Sequence, residues 1–186
     1  MKHVSKKQAK HFREWMAKQH PHIGYKIDWY YMDYNALRYA DKALGPIGIE
    51  LSEFSGWAYF DRMFFAKKLD EKPHSLLRVT MHEFRHIMLG RRWGWGCFNG
   101  RYLTSERRRR DIEVDGYCGN LQVERFLGIE PDWDRYTEKL SRYKVERKHI
   151  RRGVKKLKAY DRKIVQNTRL NHMFYCWEAS GCERIR

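Results

Sequence analysis

The sequence predicts an α+β fold: a small, mainly antiparallel sheet packed on one motif-bearing helix and on a second ligand-bearing helix, followed by a basic helical extension. Three observations predict it. Short aromatic and β-branched runs crowd the first third of the chain, helical periodicity dominates the rest, and Lys and Arg concentrate beyond residue 139. Strands first and helices afterwards is the order of α+β proteins.

A chain of 186 residues predicts one domain with an appendage, divided here as 1–131 and 132–186. With 42% hydrophobic residues and seven Trp it has the material for a core, which excludes a disordered chain. No run of 18 apolar residues occurs, so no membrane span is expected. The N-terminus is basic but lacks an apolar stretch, and no secretory signal is expected. Cys97, Cys118, Cys176 and Cys182 are scattered and read as reduced thiols, which predicts a cytoplasmic protein. The spacing His172-x₃-Cys176-x₅-Cys182 matches no familiar zinc pattern.

In order, residues 5–20 read as an amphipathic helix burying Val4, Phe12, Trp15 and Met16. Pro21 to Gly24 breaks it. Tyr25 to Met32 reads as a strand, Asn35 to Gly45 stays open between loop and helical turns, and Ile47 to Leu51 alternates as a short strand. Ser55-Gly56 reads as a turn, and Trp57 to Ala66 as one or two strands. A helix is expected to start at Pro73-His74-Ser75 with Ser75 as N-cap, and to stop at Gly90. Leu77, Met81, Phe84 and Met88 give its apolar stripe. Three glycines among aromatics make 91–100 read as a loop. Ser105 then offers an N-cap for a helix reaching Gly128. Asp132 to about Leu170 reads as one long helix with Leu140, Tyr143, Ile150, Val154, Leu157 and Ile164 as a narrow apolar seam. Met173 to Trp177 is apolar enough to dock back.

The chemistry is concentrated at Met81-His82-Glu83-Phe84-Arg85-His86, an H-E-x-x-H pattern. With 9 His and 13 Glu in 186 residues, shuffling yields roughly 0.03 such matches, so the spacing is signal. On a helix, residues four apart share a face, so His82 and His86 can each offer a ring nitrogen to one Zn²⁺. Glu83, about 100° round the helix, is placed to act as general base on a metal-activated water. The buried helix that follows carries Glu113 and Asp115, and interior carboxylates need a metal, a cation or several hydrogen bonds. Gly116 and Gly119 lower helix propensity there, for which close approach to the His82–His86 helix is a reason. Glu113 is therefore the expected third ligand. Asp115 is expected as a partner of a histidine, ahead of a role as a further ligand, and Tyr117 as a core tyrosine, ahead of a role as donor to the reacting oxygen.

These residues resemble the ImmA/IrrE-type metallopeptidases, small zincins. The resemblance lies in Leu-Leu-Arg-Val-Thr-Met-His-Glu-Phe-Arg-His-Ile-Met-Leu at 76–89 followed by Asp-Ile-Glu-Val-Asp-Gly-Tyr-Cys at 111–118, and it spans about residues 25–128. It implies a zincin-like fold, one Zn²⁺ per chain on His82, His86 and Glu113, and Glu83 as base. Val114 and Asp115 depart from the Ala and Asn of the family pattern. It also implies a phage or mobile-element protein whose substrate is a DNA-binding regulator.

The expected function is thus a zinc-dependent peptidase acting on a cytoplasmic, DNA-associated protein. The net charge of +16 supplies the alternative. Between Lys139 and Arg169 thirteen Lys and Arg face two acids, a local +11, a field that favours DNA, RNA or an acidic protein. In that reading Arg147, Lys148, Arg151, Arg152, Lys155 and Lys156 contact nucleic acid, and the zincin core is structural or vestigial.

Overall fold

The computed structural model describes residues 2–18, 27–33, 42, 56–143 and 145–182. Helix α1 (Lys6–Lys18) leads into strand β1 (Asp28–Tyr31), and β2 (Gly56–Tyr59) and β3 (Arg62–Phe65) form a hairpin. A 3₁₀ turn (Lys67–Glu71) precedes α2 (Pro73–Trp93), α3 (Trp95–Thr104) and α4 (Glu106–Leu127). Then come α5 (Trp133–Ser141), α6 (Arg147–Gln166), a short 3₁₀ turn (Thr168–Leu170) and α7 (His172–Ala179). The architecture is α+β, predominantly helical.

Among the described residues the sheet has the order β1-β3-β2 and is mixed, which corrects the mainly antiparallel expectation. β2 and β3 are antiparallel, whereas β1 runs parallel to β3 with Asp28 opposite Arg62. Gly56 opens a strand rather than turning the chain; the turn is at Phe60-Asp61, with Phe60 at φ 51°. Arg91 clamps that turn through Asp61 at 2.6 Å, and the Phe60 and Trp95 rings meet at 5.5 Å. The hairpin is thereby fixed to the α2–α3 corner. The expected strand at Ile47–Leu51, the break at Pro21–Gly24 and the open stretch Asn35–Gly45 (Lys42 apart) lie outside the described residues.

α1 buries Phe12, Trp15 and Met16, and the chain just before it buries Val4, as expected, against Leu76, Leu77 and Met81 of α2 and Met63 and Phe65 of β3. Its Arg13, only 2% exposed, stacks on Trp29 at 3.7 Å and bonds Asp70 at 2.8 Å. Tyr31 also donates to Asp70, so one carboxylate ties α1, β1 and the 3₁₀ turn.

α2 starts at Pro73 rather than behind Ser75, because proline's fixed φ is already helical at the first position. It runs through Gly90 to Trp93 and stops at Gly94, with φ 78°. Gly90 serves packing instead: a Cβ there would lie 2.8 Å from the Trp95 ring. Met88 is 37% exposed and drops out of the predicted stripe, while Ile87 takes the buried position. The expected loop at 91–100 is largely helical: α3 presents Trp95, Phe98 and Tyr102 along one face.

Ser105 caps α4 by accepting from the Arg108 amide, as expected. In place of the long helix expected from Asp132 there are two, α5 ending at Ser141 and α6 starting at Arg147. Leu140 and Tyr143 therefore pack with Leu157 and Ile164 across the bend, on Val114, Tyr117 and Leu121 of α4. α7 returns to the first core through Met173, Cys176 and Trp177, with Trp177 stacked on Phe12 at 5.6 Å. Residues 132–182 thus share both cores with the chain before them. No helix among the described residues is long and apolar enough to cross a membrane.

Candidate metal centre

α2 and α4 carry the site, and their close packing sets its geometry. A Cβ on Gly119 would fall 2.7 Å from the Met81 carbonyl oxygen, and one on Gly116 would fall 2.6 Å from His82 Nε2. Both glycines are therefore needed for the approach that the sequence predicts. Helical spacing then faces His82 and His86 toward Glu113, their rings 4.6 Å apart and near perpendicular.

His82 Nε2 lies 3.3 Å from Glu113 Oε2, and His86 Nε2 lies 3.8 Å from Glu113 Oε1. The ligating atoms of His82, His86 and Glu113 all lie within 4.8 Å of one another, and all three residues are buried. Two ligands on a tetrahedral ion with bonds of 2.0–2.2 Å are about 3.3–3.6 Å apart, so this spacing fits a metal with little closing. Unpartnered atoms mark the same place: Glu113 Oε2, Glu83 Oε2 and His86 Nδ1 are buried without hydrogen-bond partners. Such groups are rare in folded proteins because each costs desolvation without return. His82, His86 and Glu113 could hold a metal ion, and no other such group of His, Cys, Asp or Glu occurs among the described residues.

The electrostatics agree with ligand roles. Burial, then the charge of His82, pushes His86 down to about 4, so its imidazole is neutral and able to ligate at pH 7. Burial pushes the Glu113 carboxyl up, but the adjacent imidazoles outweigh it and hold Glu113 below the ordinary range. Glu83 moves the other way: burial and then the charge of Glu113 raise it well above the ordinary value. Two neighbouring carboxyls with opposite shifts are suited to different tasks.

The surroundings divide the remaining expectations. Tyr117, one turn beyond Glu113, puts its ring 4.8 Å from that of His82, with its hydroxyl 3.3 Å from that of Tyr143. Asp115 faces away: both its oxygens bond Arg85, at 2.7 and 3.2 Å, and no histidine. Two residues from Glu113 is about 200° round a helix, so both carboxylates cannot point at one centre. Nor does either carboxylate pair with Arg107 to Arg110. Arg109 instead caps the carbonyls of Tyr102, Leu103 and Tyr143, at 2.9, 3.2 and 3.1 Å.

Sequence reasoning missed Tyr102, which donates to Glu113 Oε1 at 2.8 Å. Its signal was the Trp95, Phe98, Tyr102 spacing, masked by three glycines. It also missed Lys139, which lies over the Tyr117 and Tyr136 rings at 5.3 and 5.9 Å. Burial, then Arg135 and Arg78, pushes this lysine down to about 8. His82, Glu83, Tyr117 and Tyr143 all line one cleft of ≈ 360 Å³. The expected nucleic-acid contacts Arg147, Lys148, Arg151, Arg152, Lys155 and Lys156 are all exposed on α6. Comparison with family models, with curated proteins and with solved structures finds no match to this chain, and the chemistry of the site is read from its own geometry.

Proposed function

We propose that the chain is a zinc-dependent peptidase with a zincin-like site. The observation that carries this is the convergence of His82, His86 and Glu113 within 4.8 Å, beside a buried Glu83 that opens on the cleft. Two imidazoles and one carboxylate are a donor set used by catalytic zinc, which keeps a fourth position for water or substrate. When bound, Zn²⁺ supplies a Lewis acid that lowers the pKa of water from 15.7 to about 7 and polarises a carbonyl.

The protein's own groups supply the rest. Glu83 Oε2 is buried without a hydrogen-bond partner and Glu83 lines the cleft, a position from which it would take a proton from water and return it to the leaving amine. Tyr117, which lines the same cleft, would donate its hydroxyl to the carbonyl oxygen. β2 is a sheet edge among the described residues, and its Gly56 backbone lies against Glu83, so an extended substrate can pair along it. By its resemblance to ImmA/IrrE-type metallopeptidases the chain would act on a cytoplasmic, DNA-associated regulator. Mapping new protein termini in cells that express wild type or Glu83→Gln tests it. Cuts made by wild type and absent with Glu83→Gln are expected; the same cuts from both would contradict it.

A second reading has its own observation. On α6, Arg147, Arg151, Arg152 and Lys155 are exposed and have no carboxylate partner among the described residues, whereas Lys148 and Lys156 pair with Glu146 and Asp111. Such a face suits a phosphate backbone. Four phosphates neutralised would give a log–log salt slope of about −3.6 for duplex DNA, lost when the four are changed to Gln. Absence of salt-dependent binding would leave the face to solubility.

A further inference from the structure

The cleft that reaches the candidate metal group through His82 and Glu83 is lined mostly by positive charge. Lys68, Lys72, Arg78, Arg135, Lys139 and Arg142 line it, against Glu83 and Glu138. Glu138 is already engaged by Arg142 at 2.6 Å, and Arg78 by Glu124 at 2.8 Å. α2 begins here as well: Lys72 and Ser75 line the cleft, no side chain caps the helix, and its first turn holds no acid. The positive end of a long helix dipole therefore adds to the same field. Lys139 sits between rings and cations with no carboxylate partner among the described residues, and the Tyr117 ring beneath it leads directly to His82.

We propose that this cleft selects acidic polypeptide, with Lys139 and Arg135 receiving Asp or Glu side chains of an extended segment beside the bond presented to His82, His86 and Glu113. The proposal deepens the peptidase reading and rests on it. The half-buried Lys139 ammonium faces Arg135, Arg78 and Arg142 against the single opposing charge named beside it, Glu124, so a carboxylate that enters stabilises it further and makes Lys139 a point of selection. A volume of ≈ 360 Å³ lies at the small end of ligand pockets, about 300–1,000 Å³, and admits a few residues of extended chain but no double helix. The exposed cations of α6, not the cleft, are the face that the second reading assigns to nucleic acid.

The test reads binding without turnover, on the full chain carrying Glu83→Gln. The probes are three fluorescein-labelled octapeptides, Ala alternating with Glu, Gln or Lys, and an eight-nucleotide oligothymidylate. The Glu peptide is expected to bind at least about 10-fold more tightly than the Gln peptide, with the Lys peptide weakest. Lys139→Gln and, separately, Arg135→Gln should each cut that preference several-fold, while Arg151→Gln on α6 leaves it. Arg135 is exposed, so its replacement keeps the test open if Lys139→Gln fails to fold. Equal binding of the Glu and Gln peptides, a preference that neither substitution moves, or a cleft that holds the oligothymidylate in place of the peptides would overturn the proposal. Acidic binding by the Glu83→Gln chain with no cleavage of the Glu peptide by the zinc-loaded wild type would count against the peptidase reading alone, and equal wild-type cleavage of all three peptides against this inference alone.

Discussion

Gly116 decides whether His82 can ligate. An alanine Cβ there would overlap His82 Nε2, the far end of a side chain that can swing aside, so the fold survives and the ligand does not. Gly116→Ala should therefore leave thermal stability nearly unchanged while weakening Zn²⁺ binding by about 10–100-fold, the range seen when a ligand loses its orientation. Gly119→Ala is the control with the opposite result. Its Cβ meets the Met81 backbone, which cannot swing, so it should cost about 1–3 kcal/mol of stability. Calorimetry and a zinc titration on both variants separate the two effects. At this scale the sequence was informative where spacing alone fixes direction: His82, Glu83, His86 and the two glycines. It misled at Asp115, where acidity was weighed ahead of the angle between residues two apart.

Among elements, α3 shows what composition conceals. Gly96 and Gly100 within an aromatic run read as a loop, yet Trp95, Phe98 and Tyr102 share one face whose burial outweighs the helix cost of the glycines. That helix delivers the Tyr102 hydroxyl to Glu113. Tyr102→Phe removes only this bond, and zinc affinity should fall by about 10-fold with the fold retained, checked by competition with a metal-binding dye. Unchanged affinity would mean that Glu113 is held without it. The break between α5 and α6 was hidden for a related reason: a seven-residue apolar recurrence runs across a bend when both helices face the same neighbour, here α4.

For the whole molecule, one buried ion cluster joins the sheet to the helices. Burial pushes Asp70 up, but hydrogen bonds from Tyr31, Lys10 and Arg13 outweigh it and hold the carboxyl below its ordinary value. A carboxyl depressed in the folded state stabilises fully above the ordinary value of 3.8 and loses that contribution as pH falls through the lower folded value. Acid unfolding should steepen in that window. Asp70→Asn, which leaves the buried Arg13 without its counter-ion, should cost about 3–5 kcal/mol at pH 7 and flatten the acid limb, read by urea unfolding against pH. An acid limb identical in wild type and variant would place the sensitivity elsewhere. The α+β class and the docking of the last helix were legible from pattern. The parallel pairing of β1 with β3 was not, because period-two alternation fixes faces but says nothing of a neighbour's direction.

All of this converges on whether two imidazoles of α2 and one carboxylate of α4 hold a single ion. Zinc bound per chain, measured by elemental analysis on purified full-length protein, tests that most directly. One zinc per chain is expected in wild type and none in His82→Ala or Glu113→Ala, with Asp115→Ala retaining it. A wild-type chain that stays folded and refuses zinc, or a Glu113→Ala chain that binds it as tightly, would contradict the account.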